Sequence, residues 1–425
     1  MKKRVVITGL GVISAPGVGV EPLWQMAAEG KSSIKPIESF DCGDFPGSTV
    51  AEIKDFNPKD YIQKSKAIKV MSRDIQLSCA ASKLAFADCG ISEESFDPER
   101  IGVNMGSGLI DNEVNEIAQA IKASLDEANH FDLHKFGQDG RESLFPLWML
   151  KYLPNMPACH ISIIHNLQGP SNTITTSCAS SLQAIGESTR IIERGDADLM
   201  VAGGTESRTN VIGLSRYQLF GVLMKNGNRY APMDADASGF VVGEGAGIII
   251  LEELEHALKR KARIYAEVTG YGSSCDFNYI PNKMEDYQGR KQAMSQAVKD
   301  ASLSFNEVSC IHSHGSGIKK DDLLEAQAIS DLFGECASEI PVTATKAVMG
   351  HTGCASGSFQ TILSAKMLEL GKILPTTHFK NKNSDMPLSI VSELQEAHNL
   401  NNILSNAFSI TGENASLVLK RWEEC

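Results

Sequence analysis

The feature that most constrains this chain is a repeat inside it. Val5-Val6-Ile7-Thr8-Gly9-Leu10-Gly11 resembles Ala266-Glu267-Val268-Thr269-Gly270-Tyr271-Gly272. Gly106-Ser107-Gly108 has a counterpart in Gly315-Ser316-Gly317, and Cys178-Ala179-Ser180 in Cys354-Ala355-Ser356. A strand, a Gly-Ser-Gly loop and a small-residue helix start recurring in both halves point to duplication. The seam is expected near the charged stretch Glu252–Lys261, giving halves 1–255 and 256–425. Apolar, β-branched runs at Arg4–Thr8, Ile101–Asn104, Asp198–Ala202, Gly247–Leu251, Tyr265–Thr269, Ser309–Ser313 and Pro341–Ala344 read as strands. They alternate with helical patterns at Met71–Asp88, Ser180–Arg194, Glu285–Asp300, Asp322–Phe333 and Ser356–Glu369. Such alternation predicts an α/β fold with a mostly parallel sheet. The polar stretch of about 111–150 fits neither half and reads as a surface insertion.

Composition excludes several function classes. The 425 residues carry a formal charge of −12, with no block of Lys and Arg suited to nucleic-acid phosphates. No apolar run is long enough to span a bilayer. The basic start, Met1 to Arg4, has the look of a leader, but Gly9, Gly11, Pro16, Gly17 and Gly19 break the apolar stretch behind it. A cytoplasmic protein is the expectation. Ten cysteines in such a chain are too sparse for a disulfide scaffold, and no pair has zinc spacing. His130 and His134 stand four apart around Asp132, but without a third ligand they read as a solvated face, so no metal is expected.

Chemistry concentrates at Thr176-Ser177-Cys178-Ala179-Ser180-Ser181, where a strand at Asn172–Thr175 runs straight into a helix. A cysteine at that joint meets the unpaired N–H groups of the helix start, which favour a thiolate. The alternative is an inert buried thiol. Two histidine motifs weigh toward a nucleophile: His312-Ser313-His314-Gly315 at a strand end, and Lys346-Ala347-Val348-Met349-Gly350-His351 before a helix. A histidine beside glycine at an element end is able to face a cleft.

The chain as a whole resembles the β-ketoacyl-acyl-carrier-protein synthases, closest to synthase II. Beyond the residues above, Ala202-Gly203-Gly204-Thr205-Glu206, Pro232-Met233-Asp234 and Gly239-Phe240-Val241-Val242-Gly243-Glu244-Gly245 carry the resemblance. It implies a thiolase-like fold, with duplicated βαβαβαββ halves in a layered α-β-α-β-α sandwich. It implies a decarboxylative Claisen condensation between an acyl group on Cys178 and a malonyl group on acyl-carrier protein. His314 and His351 match the pair that binds the malonyl thioester carbonyl, Lys346 the lysine that orients them, and Glu325 the nearby buried glutamate. The backbone N–H groups of Cys178 and Ile410 match a second oxyanion hole. Cys354 reads as packing. No cofactor is implied beyond the phosphopantetheine on which the carrier protein holds its substrates. The resemblance also implies a homodimer, with a heterodimer of related subunits as the other arrangement.

The chain departs from the family where substrate enters. A Gly-Phe-Gly-Gly gating loop is replaced by Ser409-Ile410-Thr411-Gly412, behind Phe408. Fewer glycines predict a stiffer gate, and Ile410 a smaller one. Of two pantetheine-binding hydroxyls one is kept, as Ser316, and one is lost at Ile318. The stretch Phe145–Ser162 is more apolar than the family leads one to expect. These changes suggest a specialised fatty-acid, unusual-lipid or polyketide substrate. They also sustain two rivals: a catalytically idle chain-shaping partner subunit, or a malonyl decarboxylase or acyl transferase. Lys64, Lys66, Lys69 and Arg73 form a basic cluster expected to dock the acidic carrier protein, the last three on one helical face.

Overall fold

The computed structural model describes residues 2–423 apart from 44, 46, 64–65, 92–95 and 278–284. Its first strands are β1 (Val5–Ser14), β2 (Ile101–Gly106), β3 (Ser171–Ile174), β4 (Leu199–Glu206) and β5 (Gly245–Glu253). The others are β6 (Ala266–Cys275), β7 (Cys310–His312), β8 (Pro341–Thr343), β9 (Asn402–Phe408) and β10 (Glu413–Arg421). Together they run β8-β7-β9-β10-β6-β1-β5-β4-β2-β3 across one sheet, with a short strand, Ser389–Ile390, beyond β8. Numbered within its half, each set has the same order, third-second-fourth-fifth-first. In both, the second strand is parallel to the third and fourth, and the fifth is antiparallel to its neighbours. The halves join where Val5–Ile7 pairs antiparallel with Ala266–Val268.

The sheet is therefore mixed rather than mostly parallel. The reason is local: β9 turns back into β10 through residues 409–412, and a turn that short joins only antiparallel strands. β9 and β10 escaped the sequence reading because Ser405, Asn406, Asn414 and Ser416 interrupt their apolar pattern, although all four are buried.

Helices α1 (Arg73–Cys89) and α2 (Met156–His165) cover one outer face, where Ile75, Leu77 and Ile161 share a core with the strand residues Val201 and Ile250. Helices α3 (Ser180–Arg194) and α6 (Ser356–Leu370) fill the middle layer with Leu182, Ile185, Phe359 and Ile362. Helices α4 (Gln288–Asp300) and α5 (Lys319–Phe333) cover the far face through Met294, Val298 and Ile329. Each such buried side chain contributes about 1.5–3 kcal/mol. Ser72 caps α1 by accepting the Ile75 N–H, and left-handed Gly195 and Gly371 close α3 and α6.

The repeated strand motif has a physical cause. A Cβ on Gly11 would lie 2.0 Å from the Ala81 carbonyl oxygen of α1, and one on Gly272 would lie 2.1 Å from the Ala293 oxygen of α4. In each half the first strand lies flush on its covering helix, which only glycine allows. Strand β1 accordingly continues past its expected end at Thr8, through Gly9 and Gly11 to Ser14.

Candidate active site

Two copies of one turn meet at the centre. Ser177–Ala179 forms a 3₁₀ turn leading into α3, and Gly353–Ala355 an equivalent turn leading into α6. Ser177 and Gly353 both take positive φ, 50° and 47°. The hydroxyl of Ser180 links the turns, donating to the Ser177 carbonyl at 2.7 Å and the Cys354 carbonyl at 3.4 Å.

The first turn presents Cys178 to the two histidines. The Cys178 thiol and one ring nitrogen each of His314 and His351 lie within 4.8 Å of one another. Among the described residues this is the one place where three such groups converge. Nε2 of His351 stands 3.7 Å from the Cys178 Sγ. The Gly353 N–H donates to Nδ1 of the same ring at 3.2 Å, so the ring proton sits on Nε2, facing sulfur. The Lys346 ammonium donates to Nδ1 of His314 at 3.2 Å and to the His314 carbonyl oxygen. His314 therefore also carries its proton on Nε2, a buried atom with no hydrogen-bond partner among the described residues. The two rings meet edge to face, 5.5 Å between centroids. His312, by contrast, is a satisfied core residue, bonded to Ser364 and Thr345 at 2.9 Å each.

Burial sets the protonation states. It holds both histidines well below the ordinary imidazole range, and the Lys346 charge pushes them the same way. Both rings are neutral donors. Burial lowers Lys346 to about 8, against the pull of Cys178 and Glu325. It raises the Cys178 thiol to about 11, helped by the Glu206 charge and opposed by Ser177, Lys346 and a hydrogen bond from the Ile410 backbone. The helix start alone was expected to favour thiolate; in the folded site desolvation outweighs it.

Supporting contacts come from other elements. Glu325 accepts the His314 and Gly315 N–H groups at 2.7 and 2.9 Å, fixing the loop that carries the ring. Gln360 accepts from Lys346 at 3.2 Å and donates to the Ser313 and Asn406 carbonyls. Phe240 packs on the His351 ring, 4.6 Å between centroids. Gln360 and Asn406 were missed in the sequence, where nothing local marks them, and Phe240 stood only inside a quoted motif, with no role assigned to it.

Other expected substrate contacts are placed differently. Ser316 is fully buried, and its hydroxyl donates to Asp322 at 3.0 Å while accepting the Ile318 N–H. It caps its own loop and has no free hydroxyl for pantetheine. Phe408 is fully buried behind the site, its ring 6.3 Å from that of His314 and under the Arg290 guanidinium. Ile410 and Ile318 both pack on the apolar cluster around Phe240 and Val241. The gate is a hydrogen-bonded turn: Ser409 N–H donates to the Glu413 carbonyl at 2.8 Å, and Thr411 Oγ1 to the Glu413 carboxylate at 2.6 Å. Gly412, at φ 96°, is its one glycine.

The basic cluster is corrected most. Lys64 lies outside the described residues. Lys66 and Lys69 are exposed, but they belong to a 3₁₀ turn that ends at Val70, and extended Met71 and Ser72 separate it from α1. The three positions therefore share no continuous helical face. Arg73 is committed to the fold, donating to both carboxylate oxygens of Glu244 at 2.6 and 2.7 Å and to the Ile53 carbonyl. His130 and His134 are exposed, and the His130 ring lies 3.7 Å from the Asp126 carboxylate.

Comparison with known proteins now bears on this geometry. Residues 2–257 match the beta-ketoacyl synthase N-terminal domain, and residues 265–380 its C-terminal domain. The chain is 33% identical over 424 residues to a 3-oxoacyl-[acyl-carrier-protein] synthase 2 of Coxiella burnetii, covering 99% of each chain. It is 34% identical over 434 residues to one of Rhizobium meliloti, again covering 99% of each. The ishigamide ketosynthase/chain length factor superposes at TM-score 0.88 with 30% identity, covering 100% of both chains. A beta-ketoacyl synthase from Burkholderia phymatum superposes at 0.87 with 27% identity, covering 99% of this chain and 100% of that one. With its duplicated α/β fold and its Cys-His-His centre, the chain belongs to the beta-ketoacyl synthase family.

Proposed function

We propose that this chain condenses an acyl group held on Cys178 with malonyl-acyl-carrier protein, releasing carbon dioxide and β-ketoacyl-acyl-carrier protein. The observation that carries the reading is the pair of Nε2–H groups of His314 and His351, both aimed at the space beside Cys178. In the first half-reaction the Cys178 sulfur attacks a pantetheine thioester. A carbon–sulfur bond forms, the old one breaks, and the thiol proton leaves with the pantetheine sulfur. In the second, two neutral imidazole donors receive the malonyl thioester oxygen as carbon dioxide departs, stabilising an enolate without a metal. The enolate carbon attacks the acyl carbonyl and Cys178 leaves as thiolate. Lys346 keeps the His314 proton on Nε2, and Glu325 and Gly353 keep the rings in place.

The substrates arrive on phosphopantetheine, and the chain itself supplies every group the chemistry needs. The partner is an acidic carrier protein, met by Lys66 and Lys69, which are exposed and outside the Arg73–Glu244 pair. We place the boundary between halves at 255/256, assign the chain to the cytoplasm, and assign it a homodimer; a heterodimer with a related subunit is the other arrangement. No helix among the described residues is long and apolar enough to cross a membrane. The intact donor set of Cys178, His314, His351 and Lys346 supports catalysis over an idle chain-shaping role. The test is to mix the protein with acyl- and malonyl-acyl-carrier proteins and follow both carbon dioxide and β-ketoacyl product. Both are expected in equal amounts. Carbon dioxide without product would leave a decarboxylase, and neither would leave an idle subunit.

A further inference from the structure

A buried carboxylate sits just behind the nucleophile, and the reaction as derived does not use it. Glu206 ends β4, where the strand passes between the two helix starts: a Cβ on Gly204 would lie 2.5 Å from the Cys354 carbonyl oxygen and 2.7 Å from the Ser181 Cβ. Its side chain is buried and fully engaged. One oxygen accepts the Cys354 N–H at 3.1 Å, and the other accepts the Tyr217 hydroxyl at 2.8 Å. Arg208 stands 3.6 Å away through Nε. A Cβ on Gly353 would fall 1.8 Å from Glu206 Oε1, so the carboxylate occupies the space that a side chain would fill.

We infer that Glu206 is a positioning residue for the nucleophile: it pins the Gly353–Cys354 turn that orients His351, and it places a negative charge beside Cys178. The inference rests on the Cys178 reading above. The chain of contacts is short. Glu206 holds the Cys354 N–H, and the neighbouring Gly353 N–H holds His351 Nδ1, which leaves the Nε2 proton facing sulfur. Phe240 braces the same unit from the other side, packing on both Tyr217 and His351. The second half's turn thus serves the first half's nucleophile without lending its own cysteine. The charge works in the opposite sense to Lys346, which favours the thiolate, and adds to burial, the larger cause of the raised Cys178 thiol. His314 and His351, which also face Cys178, are neutral, and burial holds the nearby Tyr217 and Tyr230 hydroxyls protonated.

Two substitutions separate charge from reach. Glu206→Gln keeps the reach and removes the charge; Glu206→Asp keeps the charge and draws it back from the Cys354 N–H. The first readout is the pH dependence of Cys178 alkylation by iodoacetamide, located by peptide mass spectrometry. The second is carbon dioxide release from malonyl-acyl-carrier protein, as kcat and KM. Glu206→Gln is expected to move the alkylation midpoint about one pH unit lower. Glu206→Asp is expected to leave the midpoint high while kcat for decarboxylation falls roughly tenfold with little change in KM. An unmoved midpoint in Glu206→Gln overturns the charge role, and an unchanged kcat in Glu206→Asp overturns the positioning role. A wild-type protein that is alkylated at Cys178 but releases no carbon dioxide would instead count against the proposed reaction, leaving the alkylation arm to decide the role of Glu206.

Discussion

Ser177-Cys178-Ala179 and Gly353-Cys354-Ala355 are the same piece of backbone built twice, each a 3₁₀ turn feeding a long helix of the middle layer. Their cysteines meet different surroundings. Cys178 faces His351 across 3.7 Å, with the Lys346 charge and the Ile410 backbone close by. Cys354 is sealed against Gly108, where an added Cβ would lie 2.8 Å from its sulfur, and burial with the Glu206 charge holds its thiol well above the ordinary range. The comparison teaches that position at a helix start does not make a nucleophile. What distinguishes the two thiols is the set of donors and charges contributed by other elements. The groups proposed to carry the chemistry cross the divide: the thiol comes from the first half, and both histidines and the lysine from the second.

The sharpest way to break this comparison is to remove each thiol in turn. Cys178→Ala is expected to abolish acylation and lower condensation by a factor of 10³ or more, roughly the scale of losing a covalent nucleophile. Cys354→Ala is expected to keep condensation within severalfold and to cost roughly 1 kcal/mol in urea unfolding, since only a small buried group is lost. Comparable activity losses in the two would erase the distinction.

The turns also differ at their first residue. Gly353→Ala drives a Cβ into Glu206 and is expected to destabilise the fold by roughly 3 kcal/mol or more. Ser177→Gly relieves a non-glycine residue at φ 50° and is expected to stabilise by about 1 kcal/mol at most. Thermal unfolding of both variants checks the sign of each.

Lys346 sharpens the comparison through pH. Its ammonium is lowered to about 8, so it is charged below that pH and neutral above it. The charge on the donor that fixes the His314 tautomer is therefore lost as pH rises through about 8, leaving a weaker neutral amine donor. Decarboxylation of malonyl-acyl-carrier protein is expected to fall along that limb. Lys346→Met removes the donor at every pH and is expected to flatten the limb and to lower the rate about 10²-fold. A wild-type rate that holds steady from pH 7 to 9.5 would remove Lys346 from this role.

The smallest effect concerns the gate. Thr411→Gly breaks its 2.6 Å bond to Glu413 and gives the turn a second glycine. A shift of about threefold in preference between short and long acyl thioesters is expected, read from competing substrates. An identical acyl profile would mean that the side-chain bonds of the turn do not govern entry.

What could be read in the sequence was local. Cys178, His314 and His351 each stand at an element end beside small residues or glycine, and the glycine pairs of β1 and β6 betray the duplicated strand–helix contact. What escaped reading was made by residues far apart in the chain. Glu244 reaches Arg73 across 171 positions, which turns an expected docking arginine into part of the fold. Glu206 was quoted as part of a family motif, yet its bond to the Cys354 N–H spans 148 positions. Strands β9 and β10 hid for a related reason: their buried Asn406 and Ser416 bond to each other at 2.8 Å, so polar residues sit where a strand pattern calls for apolar ones.

The most direct test of the account is to locate the acyl group. The wild-type protein, incubated with an acyl-acyl-carrier protein and digested without reducing agent, is expected to carry the acyl mass on the peptide containing Cys178 and on no other cysteine peptide. The acyl group found on Cys354, or acylation that persists in Cys178→Ala, would contradict it.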